Sequence, residues 1–111
     1  MWKEKLALYD RLISMNAHFE RKGKTMPYTS ANGYMFSQLN KAGEIGIRLS
    51  TEAGQQFMEK YNTTVFKSYG AVMKGYVLIP EQLLEDLDLL SAYLNEAYHY
   101  VLSLKPKPSK K

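Results

Sequence analysis

Residues 24–49, KTMPYTSANGYMFSQLNKAGEIGIRL, decide the fold. Tyr34, Phe36 and Gln38 alternate with Met35, Ser37 and Leu39, and a period of two marks a strand with one buried face. Asn40 to Gly43 supply turn chemistry, after which Ile45 and Ile47 alternate with Gly46 and Arg48 in a second strand. Upstream, a strand begins at about Thr25, where Pro27 is tolerated only at an edge or a strand start. Ser30-Ala31-Asn32-Gly33 reads as the turn between them. The stretch is therefore a meander of two or three strands, and its apolar face requires helices as a cover.

Working outward, Trp2, Leu6, Tyr9, Ile13 and Asn16 form one helical row and Leu8, Leu12, Met15 and Phe19 the next. This spacing predicts a helix from residue 2 to about residue 20, closed by Gly23. On the other side, Ser50 or Thr51 caps a helix running to about Tyr61, with Glu52 in its first turn and Gly54 as a weak point. Val65 to Tyr69 and Met73 to Ile79 are β-rich around Gly70 and Gly75, as one interrupted strand or as two joined by a tight turn. Pro80 suits the first position of a last helix, with a break and a new cap at Asp86 or Asp88. Leu83, Leu87, Leu90, Leu94, Ala97, Val101 and Leu104 then repeat at spacings of four and three. Core packing across the sheet is the expectation for that seam, and a homodimer through it the alternative.

The 111 residues suit one domain, residues 1–104, followed by a flexible Lys/Pro tail at 105–111. No cysteine is present, which removes thiol catalysis and zinc-cysteine sites. The first residues carry mixed charges instead of a signal peptide, and no run approaches the roughly 20 apolar residues of a spanning helix. A cytoplasmic protein with no membrane association is expected. The net charge of +4 comes from Lys105, Lys107, Lys110 and Lys111, so residues 1–104 are formally neutral. Basic residues still gather toward the N-terminal end and acidic ones toward residues 81–96, a polarity suited to facing one another or water.

Two motifs in the meander imitate nucleotide chemistry. Gly23-Lys24-Thr25 resembles the end of a P-loop, but His18 stands where the earlier glycine belongs and Met26-Pro27-Tyr28 follows instead of a helix. Asn32 to Leu39 matches the RNA-stacking octamer of RRM domains at Gly33, Tyr34 and Phe36 and departs from it at Asn32, Met35, Ser37 and Leu39. His18 and His99 lie among polar residues on the first and last helices, and Glu96 with His99 lacks a third metal ligand. With no nucleophile elbow, paired-histidine motif or dinucleotide fingerprint, no catalytic residue, cofactor or metal is expected. Arg48 is the notable polar residue: on a strand, it either pairs with an acidic side chain or anchors an anionic partner.

Gly23-Lys24-Thr25-Met26-Pro27-Tyr28-Thr29-Ser30, Asn32-Gly33-x-Met35-Phe36, Gly46-Ile47-Arg48-Leu49, Tyr69-Gly70-x-Val72-Met73-Lys74-x-Tyr76-Val77, and Pro80 with Leu83-Leu84 together resemble the TfoX N-terminal domain (TfoX/Sxy) family. The resemblance covers nearly the whole chain. It implies an α+β fold, an antiparallel sheet flanked by helices in the order α-β-β-β-α-β-β-α, as also found in type III secretion chaperones. Full-length members regulate natural competence through an additional C-terminal helical domain, so the resemblance of these residues does not by itself imply that role. The resemblance implies a non-enzymatic regulatory or protein-interaction module with a protein partner. The alternatives are a nucleic-acid-binding protein using the lysine tail with Tyr34 and Phe36, and a small enzyme with a pocket around Arg48. The candidate interaction residues are accordingly Arg48, Tyr34, Phe36, Lys105, Lys107, Lys110 and Lys111.

Overall fold

A computed structural model describes residues 2–106. Helix α1 spans Trp2–Ser14 and buries Tyr9, Leu12 and Ile13. It ends before the expected residue 20 because local bonding competes with the helix. The Asn16 side-chain oxygen accepts the His18 N–H at 3.0 Å, and the Met15 and Asn16 amides close tight bonds onto Leu12 and Ile13. Phe19 leaves the helical row and packs edge-on against Phe36 instead.

Strands β1 (Tyr28–Ala31), β2 (Tyr34–Leu39), β3 (Ile45–Arg48), β4 (Val65–Ser68) and β5 (Ala71–Leu78) form an antiparallel sheet in the order β1-β2-β3-β5-β4. Asn32 (φ 57) and Gly33 (φ 82) are the two turn residues of the first hairpin, the signature of a primed turn. Ser30 and Ala31, expected in that turn, therefore extend β1. Helix α2 (Thr51–Tyr61) begins as expected, with Ser50 Oγ accepting the Ala53 N–H at 3.1 Å, and ends at Asn62 in the left-handed region. After β5, the chain makes a 3₁₀ turn at Glu81–Glu85 and enters α3 (Leu87–Leu102), whose Asp86 cap accepts the Leu89 N–H. The protein is thus an α+β fold in the expected element order.

One face of the sheet carries the core. Ser37, Ile47 and Val77 stand in a single cross-strand row, and directly opposed residues share a face. The Tyr9 hydroxyl of α1 meets Ser37, Gly54 of α2 lies against Val77 and Leu49, and Tyr98 of α3 packs on Phe36. In the α3 region, Leu83, Leu90, Leu94, Ala97 and Val101 are buried within the single chain, while Leu87 and Leu104 are half-buried, so most of the heptad-like seam is core.

Two departures from simple alternation shape the opposite face. The β1/β2 register shifts so that Thr29 pairs with Ser37 and Ser30 with Met35, leaving Phe36 as the extra residue of a bulge. Phe36 and Ser37 both turn toward the helices as a result. Gln38, expected beside Tyr34 and Phe36, joins Met35 on the other face, where its amide lies 3.7 Å from the Met35 sulfur. The second departure is in the β4/β5 hairpin, which turns tightly at Tyr69-Gly70 and slips register between Val65 and Lys67. Phe66 of β4 comes to rest over Gly46 of β3, and the Asn40 side chain donates to the Lys67 carbonyl at 2.8 Å. The hairpin therefore curls across the helix-free face and seals part of it.

Candidate functional site

The end of α3 is held by the first β-turn. Asn32, already placed by its left-handed backbone, donates its side-chain amide to the carbonyls of Val101 (2.8 Å) and Leu104 (2.9 Å). The Val101 carbonyl also accepts the Leu104 N–H at 3.2 Å, so the Asn32 amide adds to the bonds that close the end of α3. The tie brings Tyr100 and Lys105 beside the start of β2, where the Tyr34 hydroxyl donates to the Lys105 carbonyl at 2.7 Å. Arg48, at the end of β3, then lies with its guanidinium 5.4 Å from the Tyr34 ring centre and 5.7 Å from that of Tyr100. Among the described residues, the ion pairs are Lys5 with Glu81 and Arg21 with Asp10, and neither involves Arg48. The acidic partner envisaged for Arg48 is thus replaced by two aromatic faces. A cation held in this way is positioned by ring quadrupoles and keeps its N–H edges for another acceptor.

Gly75 forms the base of the arrangement. Its backbone is left-handed (φ 87), and a Cβ placed there would lie 3.6 Å from Arg48 Nε. Next to it, Tyr76 pairs across the strands with Arg48 and donates its hydroxyl to the Met35 carbonyl at 2.7 Å. Burial pushes the Tyr76 hydroxyl up to about 12, with the Arg48 charge opposing part of that rise. The hydroxyl thereby braces β5 against β2. Gly75 and Tyr76 also line a groove of about 260 Å³ between α2 and β5. Its walls are Met58, Val65 and Val77 over the bare backbone of Gly54, with Ser50, Thr51 and Lys74 at the polar side. Cation and groove are contiguous through Gly75-Tyr76.

Of the residues singled out in the sequence, Arg48, Tyr34 and Lys105 are brought together. Phe36 is not: it is 0% exposed and packed against Phe19 and Tyr98, so it is no interaction residue and offers no face to a base. Lys107, Lys110 and Lys111 lie outside the described residues. Sequence reasoning missed Tyr100, Gly75 and the groove. Tyr100 carried a usable signal, since α3 was expected to cross this sheet, but its meeting with Arg48 depends on the Asn32 tie. His18 stacks on Tyr98 and His99 bonds the Asn95 carbonyl through Nδ1. No group of three or more metal-ligating side chains occurs among the described residues. Tyr9, Ser37 and Thr29 form a chain of hydroxyls, but all three are fully buried, and burial also raises the Tyr9 hydroxyl well above its usual range. No helix among the described residues is long and apolar enough to cross a membrane. No protein-family profile matches the chain, and no curated protein matches it.

Proposed function

We propose that this chain is a small non-enzymatic protein-interaction module, of the kind its resemblance to the TfoX N-terminal domain implies. Its binding surface is Arg48 with the adjoining α2/β5 groove. The observation that carries this reading is the Arg48 guanidinium, set between Tyr34 and Tyr100 with no carboxylate paired to it among the described residues. Such a group takes a partner carboxylate in bidentate fashion. The groove beside it takes an apolar side chain, and Lys74 reinforces the preference for acidic neighbours. The matching partner is a segment that combines an acidic residue with an apolar anchor.

Selection from an unbiased displayed-peptide library tests this directly. The wild-type protein should enrich sequences pairing Asp or Glu with Leu, Ile, Met or Phe, and Arg48→Gln should lose the acidic preference while folding normally. Enrichment of the same sequences by both proteins would remove Arg48 from the binding surface.

A further inference from the structure

A second concavity lies away from Arg48. It is a shallow dish of about 330 Å³ lined by Trp2, Lys24, Thr25 and Lys41, at the lower end of the roughly 300–1,000 Å³ typical of small-ligand sites. The Trp2 indole N–H donates to the Asn40 carbonyl at 2.9 Å, which fixes the ring as a wall. Among the described residues, neither Lys24 nor Lys41 is in an ion pair. Glu81 is paired with Lys5 and Asp10 with Arg21, while Glu44 accepts from the Asn40 amide. The two lysines thus bring to the dish ammonium groups with no carboxylate paired to them among the described residues.

The Lys41 ammonium connects this dish to the tip of the β4/β5 hairpin, lying 5.7 Å from the Tyr69 ring centre. Tyr69 is unusual in two independent ways. It occupies the left-handed region (φ 56) at a turn position that favours Asn, Asp or Gly, and it is 75% exposed. Backbone strain at a bulky side chain is ordinarily offset by packing, but this ring packs into no core. A contact with something outside the chain gives the strained tyrosine a reason.

We propose that the dish and the Tyr69 tip together bind a nucleotide unit. The base stacks on the exposed Tyr69 ring, and the phosphate is met by the Lys24 and Lys41 ammonium groups with the Thr25 hydroxyl. An acidic peptide would satisfy the lysines but leave the strained aromatic tip without a role, whereas a nucleotide engages both. The unit can come from a single strand or from a free mononucleotide, and both offer the same ring and phosphate. This site shares no residue with the Arg48 surface, so either reading can fail alone.

The test measures binding of four probes to the full chain: a labelled single-stranded ten-nucleotide oligomer, AMP, a duplex of the same sequence, and a poly-glutamate peptide. The oligomer should bind, with affinity falling roughly two- to threefold between 50 and 200 mM salt for the one phosphate neutralised. Lys24→Gln or Lys41→Gln should flatten that salt dependence by about half. Tyr69→Asn is the decisive variant: it should raise Tm by about 4 °C through relief of the turn, yet weaken the oligomer by about tenfold. AMP binding as tightly as the oligomer would assign the site to free nucleotides, and preference for the oligomer would assign it to single strands. Absence of binding by both, binding unaffected by Tyr69→Asn, or stronger binding of poly-glutamate or duplex than of both would overturn the proposal.

Discussion

Replacing Gly46 with alanine probes the feature that most distinguishes this sheet, the hairpin strand laid over it. A Cβ on Gly46 would fall among the ring atoms of Phe66, which is 0% exposed. The ring has no space to tilt into without dragging β4 away from β3. Overpacking of this kind costs about 1–3 kcal/mol, and partial re-exposure of a phenylalanine adds about 1 kcal/mol. A total near 3 kcal/mol, at an unfolding entropy of about 2.1 cal/mol/K per residue, lowers Tm by about 13 °C for 111 residues. Urea unfolding followed by the fluorescence of the single tryptophan, Trp2, gives the free energy. Phe66→Leu supplies the control. The double variant Gly46→Ala/Phe66→Leu should be more stable than the sum of the two single losses by about 1 kcal/mol or more, because the smaller side chain admits the new methyl group. A loss under about 0.5 kcal/mol for Gly46→Ala, or strict additivity, would refute the close approach of β4 to β3.

Alkaline titration should expose the buried phenols. Tyr76 keeps its proton in the folded chain up to about 12 against an ordinary 10.0, so between those values the unfolded chain releases a proton that the folded chain retains. Stability should be level below pH 10 and then fall by up to about 1.4 kcal/mol per pH unit for this group. Urea midpoints from pH 8 to 11 should decline less steeply in Tyr76→Phe, and an unchanged slope would count against burial as the cause. At the first turn, Asn32→Ala should cost about 2 kcal/mol, since it places alanine at φ 57 and removes the side-chain donor to the carbonyls of Val101 and Leu104. Asn32→Gly should cost about half as much, because glycine accepts the backbone angle. Amide exchange in the last turn of α3 should accelerate in both variants, and equal stability losses would contradict the separation of backbone from side-chain effects.

What was legible in the sequence is what short-range chemistry controls. Asn32-Gly33, Ser50 and Asp86 act through their own neighbours, and each performs the turn or cap its type suggests. Leu83 to Val101 also reads correctly as core, since a single-domain sheet needs that cover. The overlong first helix shows the limit: apolar spacing continues through Phe19, while the Asn16 side chain, bonding to His18, favours a turn. The β2 bulge was hidden because one extra residue leaves composition untouched yet exchanges the faces of everything before it. The curled hairpin depends on Phe66 meeting Gly46, twenty residues away and across a helix, and no local pattern encodes that meeting. At the candidate site, Arg48 stood out as a charge on a strand, but its setting is tertiary: Tyr34 comes from β2, Tyr100 from α3, and Gly75 from β5.

The Arg48 surface can be tested most directly by amide chemical-shift mapping with two model peptides, one alternating Glu and Leu and the other Lys and Leu. The acidic peptide should move the resonances of Arg48, Gly75 and Tyr76 together with Thr51 and Gly54 along the groove. The effect should be lost in Arg48→Gln and partly kept in Arg48→Lys, which retains the charge but not the planar fork. Equal shifts from both peptides, or shifts confined to a face remote from Gly75 and Tyr76, would contradict the assignment of Arg48 as the anchor of a protein-binding surface.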